Sequence, residues 1–405
     1  MKFTGARATA KTFHRKVEID SPGPPSKLVY HNPDKASVVV PGVKNPTDAV
    51  VRVLASTCTY IDLMILSNNY FPKVSPFPIV PGYDAVGIVE ALGNKVDNVK
   101  VGDMVVCLCK FGGCQQYLTI KATELYVVPD NLAQKVDALQ LVCLPLTGVT
   151  AFQLLHRVGN STIDSKHRLS HGKFRESTKI LIHACSGGTG SMIVRLAILS
   201  GIPSENIYGT CSFKNKEYAK QIGVGNPIDY ESLNEAGESV CWSTVCPPVD
   251  IVLDSIGGLY YAKSIKVLNS GGSYIGYGFT SKKKPGKMNM GAVFRQLLSM
   301  WGQSNFFCCL DGGKTAKFYT IAEFKAVHPQ WYKDDLLTLI GLVHESKLKV
   351  PIEQVVGLED VAKALNAIAG MQHKGKIVVA VDQQLCNKEK EHMRLGLGAA
   401  PIPFI

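Results

Sequence analysis

No stretch of the chain approaches the ~18 consecutive apolar residues of a membrane-spanning helix, so a transmembrane segment is not expected. The start, Met1-Lys-Phe-Thr-Gly-Ala-Arg7, is basic but has no apolar core, which argues against a secretory signal. The twelve cysteines, from Cys58 to Cys386, lack the spacing of a disulfide framework, and free thiols in a reducing compartment are expected. A nucleic-acid motif is also missing. The formal charge is +11, yet the basic residues are dispersed apart from Lys282-Lys283-Lys284-Pro-Gly-Lys287. Such a charge suits a phosphorylated small-molecule ligand better than a nucleic-acid partner.

What is present is ordinary for a globular enzyme: 46% hydrophobic and 19% charged residues. The length of 405 residues exceeds a usual single core, so two domains are expected. Residues 1–26 read as a loosely ordered, acid-poor extension. A solvated tail on a cytoplasmic protein is the preferred reading, with a mitochondrial presequence as the competing one. From about 28 to 129, short Val/Ile-rich runs (37–40, 49–53, 86–91, 104–107, 116–120 and 125–128) alternate with Gly, Pro, Asn and Asp. That texture predicts a small barrel or sandwich. From about residue 144 it changes. Strands are expected at 179–183, 206–210, 249–253 and 273–276, with helices at 191–199 and 215–222 between them, the pattern of a doubly wound parallel sheet. A surface loop is expected over 160–177, then a basic loop after about 278, helices at 333–345 and 358–371, and a last strand at 376–381.

The strongest chemical signal is the strand-turn-helix 179–197, with the turn Ser186-Gly187-Gly188-Thr189-Gly190. Glycines let a pyrophosphate approach the backbone where a Cβ would collide, and the N–H groups at the helix start face the phosphates. A Gly-rich turn alone is a weak signal. Here a strand precedes it, a helix follows and further βα units come after, which points to a Rossmann-type dinucleotide site. Cys185 replaces the first glycine of the usual pattern. The end of the second strand separates the two nicotinamide cofactors, because an acid there holds the ribose 2′-hydroxyl and repels a 2′-phosphate. This chain has Thr210-Cys-Ser212-Phe-Lys214-Asn-Lys216-Glu-Tyr218 instead, with hydroxyls and lysines. NADP(H) is therefore expected over NAD(H).

With these motifs in order the chain resembles the medium-chain dehydrogenase/reductase superfamily, and within it the zinc-independent quinone oxidoreductase and enoyl (alkenal) reductase branch. The resemblance covers about 28–382. It rests on Val51-Arg-Val-Leu-Ala-Ser-Thr-Cys-Thr-Tyr-Ile-Asp62, Pro81-Gly-Tyr-Asp-Ala-Val-Gly-Ile-Val89, Val101-Gly-Asp-Met-Val105 and Leu146-Thr-Gly-Val-Thr-Ala151. The glycine turn, Val249-Asp-Ile-Val-Leu-Asp-Ser-Ile-Gly257 and Gly375-Lys-Ile-Val-Val379 complete it. It implies a GroES-like, mostly β catalytic domain built from both chain ends, with the Rossmann domain inserted between. The implied divisions are 1–26 (extension), 27–145 (catalytic, first part), 146–280 (Rossmann), 281–385 (basic loop and return to the catalytic domain) and 386–405 (tail).

Zinc-dependent relatives place a Cys ligand where this chain has Thr59 and a His-Glu pair where it has Tyr83-Asp84, so no metal is expected. Cys58 lies one position out of register. The tyrosine that supplies a proton in enoyl reductases lies eight residues after the match to Asp62, which is Tyr70. Tyr60 is a second candidate on the same wall, and Thr150 matches a residue near the nicotinamide. The resemblance also places Ser255, Gly276, Tyr277 and Lys376 among the cofactor-binding residues. The resulting expectation is an NADPH-dependent reductase of a quinone or an α,β-unsaturated carbonyl, compatible with a homodimer. Two alternatives stay open. One is a carbonyl reductase of the alcohol dehydrogenase type; the other is a nucleotide-binding interaction protein like the superfamily's vesicle-associated members. Substrate choice is expected to depend on the loop 282–307.

Overall fold

The computed structural model describes residues 14–33, 40–70, 77–133, 136–158, 173–230, 242–278, 312–371 and 373–387. Two short strands, β1 (Lys16–Glu18) and β2 (Val29–His31), pair antiparallel near the N-terminus. Part of the expected loose extension is therefore folded. Val17 and Ile19 are buried in the main core, and β1 is tied to the catalytic domain by Val17 N–H donating to the Cys114 carbonyl at 3.1 Å. Two alternating apolar side chains are enough to anchor this short segment, although the surrounding Lys and Arg had masked them.

The first sheet is built on β3 (Asp48–Cys58), a long strand that ends at helix α1 (Tyr60–Leu66). β3 pairs antiparallel with β4 (Ala85–Leu92), and β5 (Met104–Cys107), β6 (Tyr117–Lys121) and β7 (Leu125–Val127) complete the N-terminal part. These strands match the Val/Ile-rich runs from 49 onward, while the run at 37–40 lies almost wholly outside the described residues. A helical run, α2 (Ala138–Val158), leads to the second domain. It is apolar enough to cross a membrane, but 89% of its most apolar window is buried inside the protein, as befits a core helix.

The second sheet has six parallel strands: β8 (Ile180–Ile182), β9 (Ile207–Cys211), β10 (Asn226–Asp229), β11 (Val249–Asp254), β12 (Leu268–Gly276) and β13 (Thr315–Phe318). Their spatial order is β10-β9-β8-β11-β12-β13, the doubly wound Rossmann order. β8 and β11 are buried at every residue, which is why they read as unbroken apolar runs. The order reverses between these two strands, and the crevice at their carboxyl ends is where such sheets take ligands. Helix α3 (Gly188–Leu199) follows β8, α4 (Lys216–Gln221) follows β9 and α5 (Leu259–Lys266) follows β11.

The domain division at 280 needs correction. β13 is the sixth strand of the Rossmann sheet, and α6 (Pro329–His344) is buried on one face by Tyr332, Leu336, Leu339 and Ile340. Tyr332 donates to the Pro145 carbonyl of α2 at 2.9 Å, and Asp335 accepts from Gln153 (2.8 Å) and Arg157 (2.8 Å). The chain returns to the catalytic sheet only with β14 (Ile352–Val356), helix α7 (Val361–Ala369) and β15 (Lys376–Ala380). β15 pairs antiparallel with β3, with Ile377 opposite Cys58. β13 is short and half-polar, so its alternation carried little signal. The basic loop 282–307 lies outside the described residues.

Candidate active site

Two walls meet where β15 passes the nucleotide turn. Gly375 N–H donates to the Ser186 carbonyl at 2.8 Å, and Gly187 bridges Gly375. The return strand thus docks directly on the glycine turn.

The turn is shaped by its missing side chains. A Cβ on Gly190 would lie 2.2 Å from the Ala184 carbonyl oxygen, so α3 can leave β8 this tightly only with glycine there. A Cβ on Gly188 would meet Lys376 Cδ at 2.8 Å, whereas at Gly187 the nearest atom would be 3.4 Å away. Gly187 is thus the open side of the cradle and Gly188 the side along which Lys376 runs. Lys376 is 4% exposed and forms no ion pair among the described residues. Its charge acts on the buried carboxyls of Asp62 and Asp84, drawing their pKa values down against burial. Thr189 lies in the first turn of α3 and is half-buried.

The pocket beyond β9 is polar and incompletely satisfied. Ser212 is buried and its hydroxyl has no hydrogen-bond partner among the described residues; the Tyr218 hydroxyl is also buried, with Ser191 beside it lowering its pKa against desolvation. Buried polar groups are usually paired, so the unpartnered Ser212 hydroxyl is available to a polar ligand. Lys214 is exposed two positions after Ser212, and Lys374 Nζ lies 5.4 Å from the Tyr218 ring centre while pairing with Glu353 at 3.1 Å. Thr210 is placed differently from expectation. Its hydroxyl accepts from Ala184 N–H at 3.1 Å and bonds His183 at 3.2 Å, so it braces the turn from inside. Two residues that the sequence reading passed over complete this end. Asn215 donates to Ser186 Oγ at 3.2 Å, and His373 is close enough to feel both Lys376 and Lys214. Burial and Lys376 hold the His373 pKa down to about 4, so it is neutral near pH 7.

At the carboxyl end of β11, Asp254 accepts from Ile256 N–H (2.7 Å), Gly257 N–H (3.1 Å) and the Tyr274 hydroxyl (2.7 Å). It fixes the loop bearing Ser255. The end of β12 lies against that loop: Tyr277 N–H donates to the Asp254 carbonyl at 2.8 Å, and a Cβ on Gly278 would sit 2.9 Å from the Ser255 carbonyl oxygen. Ser255, Gly276 and Tyr277 are thus gathered at the same crevice as the glycine turn.

The opposite wall comes from the catalytic domain. Thr59 caps α1, and Asp62 returns the favour as a capping box, accepting from Thr59 N–H (2.8 Å) and Thr59 Oγ1 (2.7 Å). Its other oxygen accepts from Gly82 N–H at 2.8 Å, locking the 79–84 loop to α1. Tyr70 follows α1, half-buried, and its hydroxyl lies 2.7 Å from that of Tyr83, which is fully buried. Tyr60 opens α1 and is packed, partly buried, against the same core. Thr150 lies mid-helix in α2, buried, with its hydroxyl toward Tyr319. Asp84 is 0% exposed; one oxygen accepts from Thr57 and the other has no partner, and burial lifts its pKa to about 6.

These residues do not fit a zinc centre. Thr59 is committed to Asp62, Tyr83 to Tyr70, and among the described residues no three His, Cys, Asp or Glu side chains converge. The thiols of Cys58 and Cys114 are buried, with pKa values pushed well up by desolvation.

Comparison with known proteins bears on the family and the fold. Residues 45–130 match the alcohol dehydrogenase GroES-like domain, and 222–379 match a second model described as zinc-binding dehydrogenase. The chain belongs to the medium-chain dehydrogenase/reductase superfamily. A mouse relative, synaptic vesicle membrane protein VAT-1 homolog, is 25% identical over 343 residues, 84% of this chain and 78% of that protein. Among solved structures, Escherichia coli quinone oxidoreductase complexed with NADPH superposes with a TM-score of 0.67 at 20% identity, covering 91% of this chain and all (100%) of that one. The CurK enoyl reductase gives a TM-score of 0.68 at 20% identity, covering 92% and 100%. The description of the second model names zinc; this chain has Thr59, Tyr83 and Asp84 at the positions where the resemblance puts zinc ligands.

Proposed function

We propose that this protein is a zinc-independent, NADPH-dependent reductase acting on a quinone or an α,β-unsaturated carbonyl. The observation that carries the reading is the Tyr70–Tyr83 hydroxyl pair, held beside the capped start of α1 in the catalytic domain, in a chain whose second sheet has the Rossmann order. NADPH, when bound, supplies hydride. The backbone of Gly187–Gly190 and the start of α3 take the pyrophosphate, with Lys376 alongside. Ser212 and Lys214 meet the 2′-phosphate, and Tyr218 closes that pocket. Hydride arriving at the β-carbon of an enone leaves an enolate; with a quinone it leaves a hydroquinone anion. Tyr70 then donates its proton to the enolate or to the hydroquinone anion.

The E. coli quinone oxidoreductase complexed with NADPH and the CurK enoyl reductase share this fold, and each supports one half of the proposal. A second reading is favoured by the VAT-1 homologs: a protein that binds the nucleotide and acts through interaction rather than turnover.

Fluorescence titration with NADPH and NADH, repeated on Lys214→Ala, tests the cofactor half. NADPH should bind more tightly, and the variant should lose about tenfold in NADPH affinity with little change for NADH, as expected for one charge-assisted contact. Equal binding of both by the wild type would overturn the 2′-phosphate assignment. Tight NADPH binding without turnover of any quinone or enone would favour the interaction reading.

A further inference from the structure

We propose that Tyr83 is the positioning residue of the proton donor: its hydroxyl donates to the Tyr70 oxygen, which leaves the Tyr70 proton directed at the substrate. The inference rests on the reductase reading above. It begins from the number of hydrogens. Tyr83 is 0% exposed, and the only hydrogen-bond partner of its hydroxyl among the described residues is the Tyr70 hydroxyl at 2.7 Å. The two rings meet edge to face, 6.1 Å apart at 69°. One hydrogen lies between the two oxygens, so two arrangements exist. If Tyr70 donated, the buried Tyr83 proton would be left with no acceptor among the described residues, a costly state for a buried polar group. If Tyr83 donates, both hydroxyls are served, because Tyr70 is only half-buried and its own O–H can reach outward. The second arrangement prevails.

The same bond then acts during turnover. Hydride adds to the β-carbon and the C=C pair becomes an enolate. The Tyr70 O–H bond breaks, its proton forms the new C–H or O–H bond, and the electron pair stays on Tyr70 as phenolate until solvent restores the proton. Tyr83 faces that phenolate with a donor already in place, so the bond becomes charge-assisted when it is needed. The groups that face Tyr83 are Tyr70, the Cys109 thiol and Asp62, and together with burial they drive its pKa far above that of an ordinary phenol. Tyr83 therefore keeps its proton and serves as donor throughout. The Cys109 thiol is itself engaged, its sulfur donating to the Gly82 carbonyl at 3.3 Å.

Two measurements on Tyr83→Phe test the proposal. The ionisation of Tyr70 is followed by NMR of 13Cζ-labelled tyrosine, with its signal assigned by loss in Tyr70→Phe. Removing the donor should raise the Tyr70 midpoint by about one pH unit, and with active protein should lower kcat about tenfold, leave KM within about twofold and move the alkaline limb upward. An unchanged Tyr70 midpoint, or a wild-type kcat, would overturn it. If the wild type turns over no quinone or enone, the reductase reading fails while the NMR titration still decides the pairing. Should Tyr83→Phe not fold, 3-fluorotyrosine at position 83 keeps the shape and makes a stronger donor. The Tyr70 midpoint should then fall, and a rise or no change refutes the assignment.

Discussion

Replacing Asp84 with asparagine should change the pH dependence of stability, and the structure sets the size of the effect. Asp84 is completely buried on β4's approach, with one carboxyl oxygen held by Thr57 and the other unpaired. Desolvation outweighs Lys376 and the Thr57 bond, so the folded pKa lies at about 6, against ~3.9 for an unfolded aspartate. Below pH ~4 the group is protonated in both states and burial costs nothing for charge. As pH rises through the folded value near 6, the folded protein must bury an ionised carboxylate, and stability is lost. The gap of about two pH steps, at ~1.4 kcal/mol each, comes to about 3 kcal/mol as an upper bound.

Asp84→Asn stays neutral, so the variant should gain up to about 3 kcal/mol on the wild type between pH 4 and pH 7.5. Any fixed cost of the amide shifts the whole difference without altering its slope, and the repulsion by Asp62 is already part of the Asp84 shift. Urea unfolding followed by circular dichroism at half-unit pH steps would measure it. A wild-type minus variant difference that stays flat across this range would refute the reasoning and show that Lys376 fully compensates the buried charge.

Two further outcomes follow from packing. Gly190→Ala would place a Cβ 2.2 Å from the Ala184 carbonyl, a backbone atom that cannot swing away. It should cost about 1–3 kcal/mol of stability and weaken NADPH binding at least tenfold in the same fluorescence titration; an alanine variant that binds normally would show that the turn is not where the pyrophosphate sits. Asp335→Ala removes the buried partner of Arg157 and Gln153, and with it one of the ties between α2 and α6. A loss of about 3–5 kcal/mol is expected in denaturant titration with NADPH affinity unchanged, and a loss under 1 kcal/mol would contradict the buried-pair argument.

The sequence alone determined the chemistry that depends on backbone and local order. The glycines of 187–190 sit between an apolar strand and a helix, and only a close backbone approach explains them, so the Rossmann turn was legible at once. The missing acid after β9 was legible for the same reason, since its slot is set by distance along one βα unit. Central strands such as β8 and β11 showed as unbroken apolar runs because both of their faces are covered.

Contacts between distant segments were not legible. β1 was hidden by the lysines and arginines around Val17 and Ile19. β13 was hidden because four half-polar residues acquire meaning only beside β12. Thr210 reads as a ligand by position, yet the bend at Ala184 turns its hydroxyl inward to His183 and Ala184. Tyr83 reads in the sequence only as the absence of a histidine; its pairing with Tyr70, thirteen positions away, exists because Asp62 pins Gly82 to α1. Local pattern specifies elements and turns, but which hydroxyl meets which is decided by the packing of segments that no sequence period connects.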